Sequence, residues 1–397
     1  MQKSIQNKSE FIALMALLMS MVALTIDAML PVLSVVGNDL KVVNKNDVQQ
    51  IISSVFLGMS LGILIFGPIS DSFGRKVTIY FGLILFGLGC LISYLAESME
   101  VMLLGRVMQG FGVASPRVVT LAMIRDLFSG QSMGKILSLV MMIFVLVPAL
   151  APFIGQLIVT FAHWRFIFIF FLFVALICGL WLMIRQPETL EKANRIPFEF
   201  KQIKNGVFET LINPISRYYT LISGLIFGSF VAYLSLSQQI LQKQYALGDK
   251  FPQYFAMLAL FIGFASFVNS KLLEHYSMEL VTKICFLGIF ILSIPINVFL
   301  VFNDQLISLM PFIFYLGVTF LFIGILMGNL TSLAVQPLGH IAGVANSVIG
   351  SLMTLISGIL GVIIGSFYEG TVFPLTLSFF VLSLISLFVL FLCLKKS

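Results

Sequence analysis

The chain reads Gly67-Pro68-Ile69-Ser70-Asp71-Ser72-Phe73-Gly74-Arg75-Lys76-Val77-Thr78 between two apolar segments that are each long enough to cross a bilayer. This stretch, called the signature loop below, holds one acidic side chain, two basic side chains and two glycines. A polar turn this short requires the two flanking helices to run antiparallel. The pattern therefore predicts an all-α membrane protein, because helices satisfy every backbone polar group inside lipid.

Composition supports the same class. Apolar residues make up 59% of the 397 residues and charged residues only 10%. Runs of eighteen or more nearly uncharged residues predict transmembrane helices of about 20 residues each, and they lack the alternation of β-barrel strands. Twelve spans result, near residues 11–36, 48–68, 77–96, 101–123, 135–161, 165–184, 218–241, 252–272, 281–302, 306–330, 341–367 and 371–394.

The longest polar segment divides the spans into two sets of six. We predict an N-terminal six-helix half at 1–184, a cytoplasmic central loop at 185–216 and a C-terminal six-helix half at 217–397. A shift of about 200 residues places Asp71-Ser72-Phe73-Gly74 on Glu274-His275-Tyr276-Ser277, again between the second and third spans of a half. Such a duplication predicts two pseudo-symmetric halves with a substrate site between them.

The basic residues predict the orientation. Of the 23 lysines and arginines, sixteen fall in segments assigned to the cytoplasm and five in outer loops, which places both termini in the cytoplasm. The net charge of +6 is therefore a sign of membrane topology and needs no nucleic-acid partner.

The signature loop resembles G-x-x-x-D-x-x-G-R-[KR], the motif between helices two and three of the major facilitator superfamily. Four further segments resemble the bicyclomycin/chloramphenicol-resistance branch of drug:proton antiporters, at residues 24–31, 104–112, 147–155 and 337–343. The resemblance implies the major facilitator fold and proton-coupled efflux of small amphipathic drugs by alternating access. It also implies a monomer in the inner membrane, with the proton as coupling ion and no other cofactor.

The helix-five motif of these antiporters is kept only in part. Pro148, Ala151, Pro152 and Gly155 fit its small-residue and proline pattern, while Val147 and Gln156 replace small residues. This motif alone therefore gives weak support for antiport.

Three charged residues, Asp27, Arg106 and Arg117, stand out well inside predicted spans, where charge is costly unless it is paired or hydrated. Asp27 and Arg106 both lie in the outer half of the bilayer, at 1.5 Å per helical residue. We predict that Asp27 carries the proton and shares its site with the substrate, that Arg106 stabilises its charged form in the same substrate cavity, and that Gln109 also lines this cavity. The alternative is a static ion pair that holds helices one and four together.

Arg117 has two interpretations. It attracts an anionic substrate group, or it pairs with a carboxylate such as Asp126, which is the structural alternative. The rest of the cavity is predicted to be apolar and aromatic, because such surfaces suit loosely selective drug sites. Its candidate lining residues in the second half are Tyr233, Gln238 and Tyr315.

The signature loop is interpreted as a conformational latch. In this hypothesis Asp71 accepts hydrogen bonds at the amino end of helix eleven, where the helix dipole favours an anion, and Arg75 meets Asp126. Gly67, Gly74 and Lys76 complete the motif. The alternative is that the two basic residues only anchor the topology.

Small residues in the second span also allow two interpretations. Ser54, Gly58 and Gly62 share one helical face, and small residues let helices approach closely. The resemblance implies that this face slides against helix eleven during transport, and the alternative is that it packs tightly within its own half.

Competing functions remain open at this point. A proton-coupled exporter or importer of a specific metabolite, such as a siderophore, an amino-acid derivative or a sugar-like compound, has the same architecture. An intramembrane enzyme is disfavoured, because the three histidines lie in loops with no H-E-x-x-H, and no metal site is expected. The absence of a P-loop argues against ATP hydrolysis. The expected partners are a small-molecule substrate, protons and the lipid bilayer.

Overall fold

The computed structural model describes residues 8–44 and 46–394. The prediction that both chain termini lie in the cytoplasm concerns residues outside these ranges. Within the described residues, eleven segments are long and apolar enough to cross a membrane. The longest, Leu309–Ser366, contains two helices joined by the 3₁₀ turn Gln336–Ile341, so twelve membrane helices result. They are α1 (Lys8–Asp27), α2 (Gln50–Phe73), α3 (Arg75–Tyr94), α4 (Met99–Leu127), α5 (Gly130–Phe161), α6 (Phe166–Arg185), α7 (Pro214–Ser237), α8 (Phe251–Leu272), α9 (Met278–Phe302), α10 (Leu309–Val335), α11 (Ala342–Ser366) and α12 (Phe373–Leu394).

The first membrane span is broken. Helix α1 ends at Asp27, and the chain continues through the 3₁₀ turn Leu30–Val32 into a short helix, Leu33–Asp39. Pro31 explains the break, because it lacks the N–H that an unbroken helix would donate to the carbonyl of Asp27. The predicted span at 11–36 is therefore two helical pieces, and the buried acid lies where they meet.

The chain forms two compact units. The first contains the residues up to Lys41 and Ser54–Lys204, and the second contains Val42–Ser53 and the residues from Asn205 onward. The division passes through α2, so the first residues of that helix belong to the second unit by their contacts. The first part of the central loop, up to Lys204, belongs to the first unit.

Each unit repeats one packing pattern. In the first unit, α1 packs against α4, α5 and α6, while α3 packs against α4 and α6. In the second unit, α7 packs against α10, α11 and α12, while α9 packs against α10 and α12. Every helix in the first set corresponds to the helix six places later in the second. The prediction of two pseudo-symmetric six-helix halves is confirmed.

Glycines set the closest helix contacts of the first unit. A Cβ on Gly58 would lie 1.9 Å from the carbonyl oxygen of Val107, and one on Gly62 would lie 2.5 Å from the Cβ of Ala114. The small-residue face of α2 thus packs against α4 within its own unit. This geometry favours the interpretation of tight packing within one half.

At the end of the first unit opposite the signature loop, the carboxylate of Asp39 bonds two side chains. The side chain of Asp39 accepts hydrogen bonds from the indole of Trp164 (3.1 Å) and the guanidinium of Arg165 (2.7 Å). Arg165 also donates to the carbonyl of Ala96 (2.8 Å) and lies 4.4 Å from the centre of the Trp164 ring. These bonds link the loops that connect α1 to α2, α3 to α4 and α5 to α6.

Candidate functional site

Asp27 is buried at the break in α1, with 4% of its surface exposed. Within residues 8–44 and 46–394, no basic nitrogen lies within 4.0 Å of its carboxylate and no hydrogen bond reaches it. Gly155 brings α5 against the same break, since a Cβ there would lie 1.9 Å from the carbonyl oxygen of Ala28. A carboxylate in this position is costly to ionise unless water or a cation reaches it.

Arg106 is fully buried beside this acid. Its Nη1 donates to Oε1 of Gln109 (2.6 Å), and its Nη2 donates to the carbonyl of Thr25 (2.7 Å), two residues before Asp27. Helices α1 and α4 are therefore joined through a backbone carbonyl. The alternative of a static Asp27–Arg106 ion pair does not match this geometry.

Gln109 is held in the contact between α4 and α3. Its Nε2 donates to the carbonyl of Gly89 (3.1 Å) and to the hydroxyl of Ser93 (3.0 Å), and its side chain is fully buried. Since all these bonds lie within the helix packing, Gln109 fixes the orientation of the Arg106 guanidinium from the side of α3.

Arg117 is half-buried further along α4. The only polar contact of its guanidinium with another described side chain joins Nη1 to Sδ of Met59 at 3.2 Å, and thioether sulfur is a weak acceptor. The carboxylate of Asp126 is bonded by Arg75 instead. Among the described residues, Asp126 therefore pairs with Arg75 and not with Arg117.

The signature loop is built around the buried guanidinium of Arg75. It donates to both carboxylate oxygens of Asp126, from Nε at 2.9 Å and from Nη2 at 3.2 Å. Its Nη1 donates to Ser70 Oγ at 2.8 Å and to the carboxylate of Asp71. Forked bonds of this kind are strong and directional. The structure thus brings Asp71, Arg75 and Asp126 together, while the docking of Asp71 on helix eleven stays a prediction.

The first turn of α3 is capped by Glu188, which lies beyond α6. Its carboxylate accepts the backbone N–H groups of Arg75 (3.0 Å) and Lys76 (3.0 Å), as well as those of Thr189 (3.0 Å) and Leu190 (3.1 Å). Helix N-termini leave such N–H groups without intrahelical partners and favour a negative charge. The acid therefore joins the segment after α6 to the signature loop.

Gly74 of the motif serves this contact in two ways. Its φ of 108° lies in a region that favours glycine. A Cβ there would lie 2.9 Å from Oε2 of Glu188 and 2.9 Å from Nη2 of Arg195. The backbone N–H of Ile196 also donates to the carbonyl of Asp71 (3.1 Å). The glycine thus leaves room for the segment after α6, which packs directly against it.

Two other motif residues have lesser contacts. The carbonyl of Gly67 accepts a bond from the Ser70 hydroxyl at 2.9 Å, and the ammonium of Lys76 donates to the carbonyl of Met183 at 3.4 Å. Of the helix-five residues, Ala151 and Pro152 are buried, as is Gly155. Pro148 and Pro152 both lie inside α5.

The candidate residues of the second unit lie in different surroundings. Tyr233 is buried, with its ring edge-on to Phe320 at 4.6 Å between centroids. Gln238 begins a π-helical segment, Gln238–Gln244, and donates to Gln242 at 2.8 Å. Tyr315 is 1% exposed and shares a 2.9 Å hydrogen bond with Ser293. The structure therefore places Tyr315 in the contact between α9 and α10.

The π-helical segment borders a cavity of about 390 Å³ that has polar side chains in its wall. Gln239 in its wall accepts a bond from Nε2 of Gln49 at 3.0 Å, and Tyr368 donates to Gln244 at 3.3 Å. Burial raises the pKa of Tyr368 to about 12, so its hydroxyl remains a neutral donor at physiological pH. Sequence reasoning did not identify this cavity, although π-helical turns often mark functional positions.

Comparison with known proteins identifies the family. The profile described as "Major Facilitator Superfamily" matches residues 12–362, most of the chain. The chain belongs to the Major Facilitator Superfamily. A bicyclomycin resistance protein homolog from Haemophilus influenzae is 32% identical over 376 residues, which cover 93% of both chains. Multidrug resistance protein D from Escherichia coli is 24% identical over 89% of this chain and 88% of that protein.

A solved structure shows the same superfamily fold. The partially occluded, inward-open xylose transporter XylE from Escherichia coli matches with a TM-score of 0.71 at 12% identity. The match covers 98% of this chain and 97% of that one. The predicted fold and the resemblance to the bicyclomycin-resistance branch are confirmed, and the protein is a multi-pass membrane transporter of small molecules. Members of this superfamily are transporters, which confirms that the chain is no enzyme.

The most important contact that sequence reasoning missed in this transporter is the cap by Glu188. Two signals for it were present. The segment Gln186-Pro187-Glu188 follows the sixth span, which predicts that it lies on the same side as the signature loop. The first turn of α3 begins after Gly74, a residue without a side chain to cap it. An acid from elsewhere was therefore needed.

Proposed function

We propose that this transporter exports small amphipathic drugs in exchange for protons by alternating access. In this proposal it acts as a monomer in the cytoplasmic membrane, with both termini in the cytoplasm and the proton as its coupling ion. Relatives that are named as drug-resistance proteins support the substrate class. The observation that carries the coupling mechanism is the buried, unpaired carboxylate of Asp27 at a break in α1.

Two features suit Asp27 to proton transfer. Without an ion pair, its carboxyl is stable in the dry interior in the neutral form, and ionisation requires contact with water or a cation. The break at Pro31 supplies a backbone that can rearrange locally, as irregular segments lining transporter cavities do. Arg106, held two residues away on the Thr25 carbonyl, supplies the nearby positive charge. Asp27 can therefore gain a proton on one side and release it on the other.

The available free energy is sufficient for efflux. One proton entering down a membrane potential of 100 mV supplies about 2.3 kcal/mol, and one unit of pH gradient adds about 1.4 kcal/mol. The total of about 3.7 kcal/mol sustains a gradient of several hundredfold for a neutral drug, because each 1.4 kcal/mol is a factor of ten.

The remaining predicted residues take different parts in this proposal. Arg117, Tyr233 and Gln238 remain candidates for substrate contact. Gln109 and Tyr315 support the walls, since their polar atoms are bonded within the helix packing. The ionic cluster of the signature loop remains the proposed latch.

The test is Asp27→Asn in proteoliposomes that contain a trapped pH dye. Addition of a drug that the wild-type protein exports, such as chloramphenicol, should drive proton flux in the wild type and none in the variant. Drug binding should change by less than about threefold, because the amide keeps the shape of the acid. Glu100→Gln, an exposed acid in the first turn of α4, is the matched control and should retain full flux. Normal drug-driven proton flux through Asp27→Asn would exclude the proposed carrier.

A further inference from the structure

Arg117 is a cation inside a membrane span whose charge no acid compensates among the described residues. Among the described residues, no carboxylate oxygen lies within 4.0 Å of its guanidinium, and the Met59 sulfur at 3.2 Å is its only polar side-chain contact. Ionisable groups inside membrane spans are costly and commonly serve function. The guanidinium therefore requires a negative partner.

Five acids of the first unit are already engaged. Asp71 and Asp126 bond Arg75, and Glu188 accepts four backbone N–H groups. At the other two sites, Asp39 bonds Arg165 and Glu10 bonds Arg185. Within the described part of this unit, Asp27 is the only other acid inside a span away from its ends, and no basic nitrogen lies within 4.0 Å of it. No acid of the unit is thus placed to neutralise Arg117.

The two arginines of α4 share one face of that helix. They are eleven residues apart, so at 100° per residue they differ by about 20°, and they lie about 16 Å apart along the axis. The first, Arg106, is at the level of Thr25 and Asp27. The second is half-buried and so accessible to a ligand. This face of α4 is therefore positively charged over three turns, with a single acid near one end.

We infer that Arg117 binds the negative group of the transported compound, and that the substrates include amphipathic organic anions, namely aromatic carboxylates or sulfonates. The inference rests on the proposed function, because it names the charge of the molecule that the drug site accepts. A guanidinium suits these groups because its planar fork donates two parallel hydrogen bonds to a carboxylate or sulfonate. A lipophilic cation in the same position would meet an uncompensated positive charge.

The experiment compares three probes with one fluorophore and different charge. Dansylglycine is an anion, dansylamide is neutral and dansylcadaverine is a cation at pH 7. Binding of each to purified protein in neutral detergent is measured by fluorescence. A charge-assisted bond contributes a factor of about ten to a hundred, so we expect dansylglycine to bind at least about tenfold more tightly than dansylamide.

Variants of Arg117 then assign the preference to this side chain. Arg117→Gln should reduce dansylglycine affinity about tenfold or more and change dansylamide affinity less than threefold. Arg117→Lys should retain part of the preference, since it keeps the charge without the fork. Arg125→Gln removes an exposed arginine near the end of the same helix and should have no effect.

Several results would overturn the inference. Equal affinity of the wild type for all three probes, binding of none of them, or an equal loss for all three in Arg117→Gln would each do so. A monodisperse gel-filtration profile confirms that the variants are folded. Anion preference without any drug-driven proton flux would instead contradict the proposed proton coupling and leave the assignment of Arg117 intact.

Discussion

In each unit the second and third helices meet at a short turn, called the corner below. The two corners differ in the polar contacts that stabilise them. In the first unit, the corner between α2 and α3 buries Arg75 among Ser70, Asp71 and Asp126. In the second, the corner between α8 and α9 has Met278 in the place of this arginine. Its ion pair joins Lys271 to Glu274 at 3.2 Å, and the two side chains are 62% and 53% exposed.

The helix that follows each corner also begins differently. Helix α9 has a local cap, because the Ser277 hydroxyl accepts the N–H of Leu280 at 3.3 Å. Helix α3 begins after Gly74, and its N–H groups are bonded by Glu188, more than a hundred residues away. The second corner is therefore stabilised by its own sequence, while the first needs α4 and the segment after α6. In the part of the chain that the structure describes, only the first corner has hydrogen bonds to distant segments, as a latch requires.

The largest effect is expected when Arg75 is replaced by methionine, the residue at the matching position of the second corner. Arg75→Met removes the cation between Asp71 and Asp126 and leaves two neighbouring carboxylates uncompensated. Breaking a fully buried pair costs about 3–5 kcal/mol, and the loss here should be smaller because the side chains of Asp71 and Asp126 are 39% and 17% exposed. The thermal midpoint in detergent should still fall clearly, and transport should be lost. Arg75→Lys should restore stability only in part. An unchanged midpoint and unchanged drug efflux in Arg75→Met would show that the cluster is dispensable.

Helix packing inside the two units offers a second contrast. A Cβ on Gly112 of α4 would meet the backbone nitrogen of Phe86 at 2.4 Å, whereas one on Gly288 of α9 would meet only the ring of Phe322 at 2.6 Å. A backbone cannot move aside as a ring can. Gly112→Ala should therefore destabilise by about 1–3 kcal/mol through overpacking, and Gly288→Ala by clearly less. Thermal unfolding of the two variants in parallel measures the difference, and equal losses would refute this account.

A smaller loss is expected when the cap of α3 is weakened. Glu188→Gln removes the negative charge at the helix N-terminus and one of the two acceptor oxygens, which should cost about 1 kcal/mol. Glu191→Gln changes an exposed acid of the same segment and serves as the matched control. The measurement is limited proteolysis of the loop after α6, which should become faster in Glu188→Gln alone. Identical cleavage rates in the two variants would argue against the cap.

The smallest effect is expected in the second corner. Glu274→Gln breaks the Lys271 ion pair, which is exposed on both sides and separated by one helical turn. Exposed pairs contribute about 0.2–1 kcal/mol and are screened by salt. Its thermal midpoint should stay within about one degree of the wild type, and a large shift would contradict the contrast between the corners.

The sequence was sufficient for the helices because lipid leaves few alternatives. Uncharged runs and one short polar loop predicted twelve spans and a duplication, and both are present. The presence of an acid in the first span was also predictable. The break at that acid was missed, although Pro31 signals it, because hydropathy alone does not distinguish a straight span from a broken one.

Partner choice within the site was the hardest part to predict. The sequence places Asp126 near the signature loop and near Arg117, and only the folded chain shows that Arg75 takes it. The role of Glu188 likewise depends on a contact across more than a hundred residues. Spacing along a chain defines which residues share a face or an end. It does not decide between two cations for one carboxylate.

The break in α1 has a consequence for spectroscopy. The peptide carbonyl of Asp27 receives no N–H from Pro31, so water that reaches the neighbouring carboxyl can also bond this oxygen. An isotope label at this single amide would shift its infrared band away from all others, and hydration would move the band again. A labelled amide at Asp27 would therefore report hydration directly beside the proposed proton carrier.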